Sequence, residues 1–270
     1  MSPSRPTRSN QKPNYGIDAP GLQRQFLIFG GVATVMMIIV LAIEGLPTYL
    51  QRGTALVSGL VAVYLFFMAS LMWYSSRIWK VRNLQRMFGH LPEFQPNRIL
   101  DVGCGRGMMA IEAARHYPDA SVTGVDIWSS VDQSGNTPDT CLENSRLAGV
   151  EERVDVQTGD ARDLPFKDST FDLVVSHWVL HNLPSAADRK KAIEEINRVL
   201  ADQGCLLLVD IDCIEEYWNS LTDLDWQPLQ CIGPNAFERF AGRMSFGSFR
   251  PTAIVGVRPT SAGSLDKNLA

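Results

Sequence analysis

The sequence predicts an α/β protein in which a doubly wound, mostly parallel sheet is preceded by a transmembrane helical hairpin. Three observations lead there. Two long uncharged runs lie near the amino terminus, and short apolar runs alternate with amphipathic ones from Arg98 onward. A glycine-rich turn, Gly103-Cys104-Gly105-Arg106-Gly107, follows the first of those short runs. Near-continuous apolar strands joined by helices mark a parallel sheet covered on both faces. With 270 residues, 45% hydrophobic and 20% charged, the chain can bury a core and is neither disordered nor fibrous. A formal net charge of -4 gives no general attraction to nucleic acid. Cys104, Cys141, Cys205, Cys213 and Cys231 form no Cys-x-x-Cys pair and have no histidine at finger spacing. Neither a disulfide framework nor a structural metal is therefore expected.

Residues 1–25 are Pro, Ser and Arg rich at their start, a composition that predicts a disordered basic tail. From Phe26 to Ile43 no residue is charged, and at helical rise this run reaches roughly 27 Å, close to a bilayer core. A second uncharged run covers Thr54–Ser76 and ends near Trp73 and Tyr74, aromatic residues suited to an interface. Between them lie Gly45, Pro47 and Gly53, which suit a short turn. Residues 26–76 thus read as two transmembrane helices, about 26–43 and 54–76. Arg5, Arg8, Lys12 and Arg24 precede the first span, while Arg77, Lys80, Arg82 and Arg86 follow the second. The loop holds only Arg52, balanced by Glu44, so both termini and the following domain are expected in the cytoplasm. Two other readings stand beside this one. A cleaved signal sequence is disfavoured by the long polar lead and the missing Ala-x-Ala site, and buried core helices seldom lack charge over such lengths.

Residues 77–97 are expected to form a juxtamembrane helix and linker, with Lys80–His90 lying near the headgroups and Pro92 and Pro96 closing it. Residues 98–259 form the α/β domain. Its strands are expected at Arg98–Val102, Ser121–Asp126, Val154–Asp160, Phe171–His177 and Cys205–Ile211, with helices near 110–116, 140–148 and 187–200. A last strand at Thr252–Arg258 is expected to pair with one near Pro228–Ile232, and residues 260–270 read as a flexible tail.

The chemistry rests on Asp101-Val102-Gly103-Cys104-Gly105-Arg106-Gly107, a turn that lets backbone approach a ligand at the carboxyl edge of the first strand. A dinucleotide fingerprint needs Gly-x-Gly-x-x-Gly, but Met108 stands where the third glycine would be. The segment ILDVGCGRG resembles the first motif of the class I S-adenosylmethionine-dependent methyltransferases. VTGVDI with Asp126, GDARDLPF with Asp160, FDLVVSHWVLH and INRVLADQGCLLLVD follow in that family's order. The resemblance covers roughly Arg98–Ile211 and is nearest to the small-molecule and quinone C-methyltransferase group. It implies a Rossmann-like fold, S-adenosyl-L-methionine as cofactor, and no metal. On this reading Asp126 accepts both ribose hydroxyls, Asp160 takes the adenine amine, and Ala161 offers a backbone N–H. Gly103 and Gly105 line the methionine half, Asp101 holds its amino group, Ile127 covers the adenine face, and Cys104 and Ser176 complete the cofactor set. Residues Trp128–Asn136 lengthen the segment after Asp126, either as a cap over the site or as a surface insertion.

A sulfonium is already an activated electrophile, so the protein need mainly align the acceptor, exclude water and take up a proton. Candidate bases are His181, His177 and Asp210, with His181 preferred because an imidazole accepts a proton near neutral pH. Asn182 and Trp178 are candidate orienting groups, and Tyr217 and Trp218 a candidate apolar wall. The expected acceptor is a small molecule, soluble or lipid-dissolved; residues 26–76 would bind the bilayer, and no nucleic-acid partner is expected. A second function class stays open, a non-catalytic cofactor-binding scaffold or assembly factor at the membrane.

Overall fold

The computed structural model describes residues 11–17, 19–129, 135–226, 229–245 and 251–260. Its first two elements are α1 (Pro20–Ala42) and α2 (Thr48–Tyr74). Both are long and apolar enough, by length and composition, to cross a membrane. α1 starts before the uncharged run, at Pro20, as proline at the first helical position allows. α2 starts at Thr48, so the connection is shorter than the expected turn, and Gly53 is helical. Small residues line the contact between the helices: Ala33, Ala55, Ala62 and Ala69 are buried, and a Cβ on Gly30 would stand 3.2 Å from the Phe66 ring. Such residues let two helix backbones approach closely. Gln51 caps the end of α1 by donating Nε2 to the Leu41 carbonyl at 3.0 Å, and Gln23 donates to the Ala69 carbonyl at 3.1 Å.

A π-helical turn, Ser75–Trp79, joins α2 without interruption to α3 (Lys80–Phe88). α3 packs one face on the domain. Its Leu84, Met87 and Phe88 are buried against the face of the sheet that α4 also covers, because an apolar stripe gains more from a core than from an interface. Arg86 is likewise turned inward, paired with the buried Glu238 at 3.2 Å.

The domain beyond is built from β1 (Arg98–Val102), α4 (Met108–His116), β2 (Ser121–Asp126), α5 (Pro138–Ala148), β3 (Val154–Thr158), β4 (Phe171–His177), α6 (Ala186–Val199), β5 (Leu200–Asp210), α7 (Ile214–Asp223), β6 (Leu229–Ile232), α8 (Ala236–Met244) and β7 (Thr252–Val257). The strands form one seven-stranded sheet in the order β3-β2-β1-β4-β5-β7-β6. β1 to β5 are parallel, and β7 is antiparallel to β5 and to β6. One core cluster joins α3 and α4 to the sheet through Leu84, Ile111, Leu173 and Leu207. The other joins α6 and α7 to the opposite face through Ile193, Ile196, Leu206 and Leu221. The strand order reverses between β1 and β4, which places a crevice beyond their carboxyl ends.

Two terminal segments were expected to lack structure. Residues 11–17 instead dock on the domain: Asn14 and Asn144 exchange hydrogen bonds of 2.9 and 3.1 Å, and Tyr15 packs against the core that includes Met108 and Met109. Amide groups and one aromatic ring are sufficient to hold a short extended segment. Residues 1–10 and 18 of the amino-terminal tail, and 261–270 of the carboxy-terminal one, lie outside the described residues.

Candidate functional site

The glycine turn after β1 supplies the floor of the site. Gly103, Gly105 and Gly107 all have positive φ, at 74°, 52° and 83°, a region costly for residues with a Cβ. A Cβ on Gly103 would collide with Val179, and one on Gly107 would stand 2.7 Å from the Cys141 sulfur. The turn is pinned to β2 by Gly103 N–H donating to the Val125 carbonyl at 2.7 Å.

Asp126 ends β2 beside this turn. One carboxylate oxygen accepts from Gly105 N–H at 2.8 Å, and the other from Trp128 N–H at 2.7 Å and from the Asn136 amide at 3.2 Å. It lines a cavity of about 930 Å³ together with Gly103, Cys104, Gly105, Ile127, Asp160 and Ala161. That volume stands at the upper end of ligand pockets, roughly 300–1,000 Å³, and leaves room beyond a single ligand. The Asp160 carboxylate is held by Arg162, 2.7 Å from Nη2, and the guanidinium holds its pKa below the usual range. An adenine amine at Asp160 would therefore share it with Arg162.

Asp101 is fully buried; neither of its oxygens makes a well-formed hydrogen bond among the described residues, and the Ala110 backbone N–H is a weak donor that lowers its pKa. Burial first, and then the charge of Asp126, push its pKa up to about 8. It lies beneath the turn and not on the cavity wall. A buried acid without a well-formed hydrogen bond has capacity for a further donor, which a water between it and the glycine turn would supply.

Ser176 departs from its expected role. Its side chain is fully buried and donates to the Val102 carbonyl at 2.9 Å, so its hydroxyl ties β4 to β1 and does not reach the cavity. Cys104 reaches the wall, but its sulfur packs over Gly124, where a Cβ would stand 2.7 Å away. Its thiol pKa is raised by the hydrogen bond with Cys141 and by burial, which makes it a filler rather than a nucleophile. Trp128 is turned to β3, its indole N–H donating to Thr158 at 2.9 Å. Residues 130–134 of the expected cap lie outside the described residues.

The opposite wall comes from the end of β4 and the short helical turn Leu180–Asn182. His177, Trp178, His181 and Asn182 all line the cavity. His181 Nδ1 lies 2.5 Å from Asp210 Oδ1. The fully buried Asp210 also accepts from the His181 backbone N–H at 3.1 Å, from Ile211 N–H at 2.9 Å and from the Tyr217 hydroxyl at 3.1 Å. A carboxylate accepts hydrogen bonds, so Nδ1 is the donor to Asp210, and Nε2 is the ring nitrogen not engaged by that pair. Tyr217, expected in an acceptor wall, is instead a fully buried partner of Asp210; neither it nor Trp218 reaches the cavity. His177 is buried and its Nε2 has no hydrogen-bond partner among the described residues. Burial, then the charges of Lys80 and His181, hold its pKa well below the usual histidine value. It stacks on Trp178 with ring centroids 4.9 Å apart.

Sequence reasoning missed Lys80. This residue is 5% exposed, lines the cavity, and holds its ammonium 4.5 Å from the centroid of the Trp178 ring. The signal was present, because Lys80, Leu84, Met87 and Phe88 fall on one face at helical spacing. The expected placement of its charge outside, among headgroups, is corrected accordingly.

The comparisons with known proteins agree with this geometry. Residues 100–208 match the family model described as a methyltransferase domain. Over 140 residues the chain is 31% identical to a demethylmenaquinone methyltransferase of Porphyromonas gingivalis, covering 52% of this chain and 52% of that protein. Over 129 residues it is 35% identical to a glycine/sarcosine/dimethylglycine N-methyltransferase of Actinopolyspora halophila, covering 48% and 21%. The chain thus spans about half, or less, of these relatives. Among solved structures, a geranyl diphosphate C-methyltransferase from Streptomyces coelicolor A3(2), in complex with Mg2+, geranyl diphosphate and S-adenosyl-L-homocysteine, superposes with a TM-score of 0.52. It is 15% identical over 66% of this chain and 80% of that one, a likeness of fold. The strand order and the glycine cradle are consistent with the match of residues 100–208 to a methyltransferase domain.

Proposed function

We propose that the whole protein is a membrane-anchored methyltransferase acting on a small, lipid-soluble acceptor, with its catalytic domain on the cytoplasmic side. The observation that carries the catalytic part is the His181–Asp210 pair on the wall of a cavity whose other wall is the glycine cradle. When bound, S-adenosylmethionine supplies an electrophilic methyl group on sulfur. Asp126 would hold the ribose hydroxyls, the backbone at Gly103 and Gly105 the methionine half, and Asp101 its ammonium. Asp210 fixes the imidazole of His181 so that Nε2 faces the cavity. That nitrogen takes the proton the acceptor loses as its bond to the methyl carbon forms. Trp178, Val179 and Met108 are among the apolar residues of the lining, which would favour exclusion of water once both ligands are bound.

The anchor is supported by the exposure of apolar side chains on α1 and α2. Phe29, Ile38, Leu56 and Val63 are each more than half exposed, an extent of apolar surface that soluble proteins avoid. Each such side chain gains about 1.5–3 kcal/mol on leaving water.

Calorimetric titration of the full chain in detergent with S-adenosylhomocysteine, adenosylmethionine and NAD tests the reading. Binding of the first two and not of NAD is expected. Asp126→Ala should weaken binding at least roughly tenfold, since hydrogen bonds to a charged group contribute about 1.5–3 kcal/mol. His181→Gln should keep cofactor affinity and lower turnover of labelled methyl into a membrane lipid extract by roughly 100-fold or more. Binding without any transfer to the extract would favour a non-catalytic scaffold, and selective binding of NAD would overturn the class.

A further inference from the structure

The cavity does not end at the cofactor cradle. It continues past Lys80 to Ser75 and Ser76, and then between the first turns of α1 and the last turns of α2, where Leu22, Phe26, Met68 and Met72 form its walls. Leu22 lines the cavity and is also 45% exposed, so the apolar end opens onto the surface that carries the exposed apolar residues of the hairpin. The inner end is different. There Lys80 lies over the Trp178 ring, and the buried His177 presents an Nε2 without a partner among the described residues. The π-helical turn is what brings Lys80 there, since its extra residue re-aims the side chains that follow; turns of this kind recur at functional sites.

A cation on the wall of a mostly apolar chamber attracts negative charge presented at that point, because Coulomb attraction is stronger where water is excluded. An imidazole beside it favours a ligand that can also share a hydrogen. The apolar funnel toward the hairpin favours a tail. We propose that this chamber takes an amphiphile directly from the bilayer through a lateral opening between α1 and α2, with an anionic oxygen headgroup against Lys80 and His177 and its apolar tail between Phe26, Met68 and Met72. This deepens the proposed function, on which it rests: it specifies the acceptor class and its route. The cation would stabilise the acceptor's oxygen as it becomes the anion, its proton passing to His181 Nε2 in the same chamber while the bond to the methyl carbon forms. Lys80 is a specificity-determining residue on this account, and the headgroup it holds is a carboxylate or an enolate.

The test uses the full chain in phosphatidylcholine nanodiscs saturated with S-adenosylhomocysteine, and a photoreactive C12 carboxylate with its diazirine near the end of the tail. The C12 alcohol with the same diazirine, and a tailed enol of the same length, serve as comparisons. Cross-links are mapped by mass spectrometry. The expected result is labelling concentrated on Phe26, Met68 and Met72 over the outward-facing Val35 and Leu60, by the carboxylate or the enol and not by the alcohol. Which of the two labels distinguishes the headgroups. Lys80→Gln should lower this labelling roughly tenfold while S-adenosylhomocysteine affinity stays within about twofold, which also shows that the variant is folded. Labelling spread evenly over the outward-facing positions, equal labelling by the alcohol, or full labelling of a Lys80→Gln protein that binds S-adenosylhomocysteine would each overturn the proposal. A chain that fails to bind S-adenosylhomocysteine refutes the methyltransferase reading instead, and the labelling pattern without cofactor then decides the amphiphile site by itself.

Discussion

Asp101 shows how one residue can link burial to ligand binding. An unperturbed aspartate titrates near 3.9, whereas burial raises this one to about 8. Between those values the folded chain keeps a proton that the unfolded chain has released. Its contribution to stability is therefore full below about pH 4 and is lost as pH rises through about 8. A ligand ammonium placed against Asp101 favours the ionised form, so binding should expel this proton. Adenosylhomocysteine affinity is expected to rise as pH increases from 6 to 8, and the calorimetric heat at pH 7 should depend on the ionisation enthalpy of the buffer. Asp101→Asn should abolish that buffer dependence. Buffer-independent heats from the unaltered protein would remove Asp101 from the ligand's surroundings. Asp126 and Asp210 were legible because each ends a largely buried strand at a fixed place, whereas Asp160, after the exposed β3, was legible only through its motif. The partners of those residues were not legible. Tyr217 reaches Asp210 from α7, and Ser176 spends its hydroxyl on Val102; no spacing in the chain announces either contact.

The turn between β1 and α4 shows the same limit for an element. Its glycines were readable as a close approach of backbone to ligand, yet Gly103 also makes room for Val179, which follows β4. Two costs combine at this position: a left-handed conformation, about 1–2 kcal/mol for a residue with a Cβ, and overpacking of roughly 1–3 kcal/mol. Gly103→Ala should lower the unfolding free energy by about 2–5 kcal/mol. Gly31 in α1 has open space around a Cβ and no positive φ, so Gly31→Ala should be tolerated. Chemical unfolding of the two variants side by side checks this, and equal stabilities would contradict the packing seen at Val179. The inner strands β4 and β5 were legible because burial on both faces leaves their centres almost wholly apolar, whereas the edge strand β3 is largely exposed. The partner of α3 was not legible, because an amphipathic period reveals which face is apolar and not what covers it. Leu84, Met87 and Phe88 would serve a headgroup layer and a sheet equally well in the sequence.

At the scale of the whole molecule, hairpin and domain are joined by one unbroken helical path, α2 through the π-helical turn into α3. Two further contacts brace the junction: the Tyr64 hydroxyl donates to the Met244 carbonyl at 3.0 Å, and Phe237 of α8 meets Tyr74 edge-on at 5.7 Å. A flexible linker would let the domain wander, whereas these contacts hold the cavity opening at a fixed height beside the hairpin. The basic residues left outside after Lys80 and Arg86 turn inward still flank the spans, Arg24 before α1's apolar stretch and Arg77 and Arg82 after α2. The charge bias that sets orientation therefore survives the loss of two of its members. If that bias governs insertion, the protein should stay in the membrane pellet after alkaline carbonate washing. In sealed vesicles with the cytoplasmic face inward, added protease should leave the domain whole, and opening the vesicles with detergent should expose it to cutting. Release by carbonate would show that the apolar faces of α1 and α2 are covered by protein instead of lipid. Cutting of the domain in sealed vesicles would place the catalytic site on the other side, where the remaining arginines do not predict it.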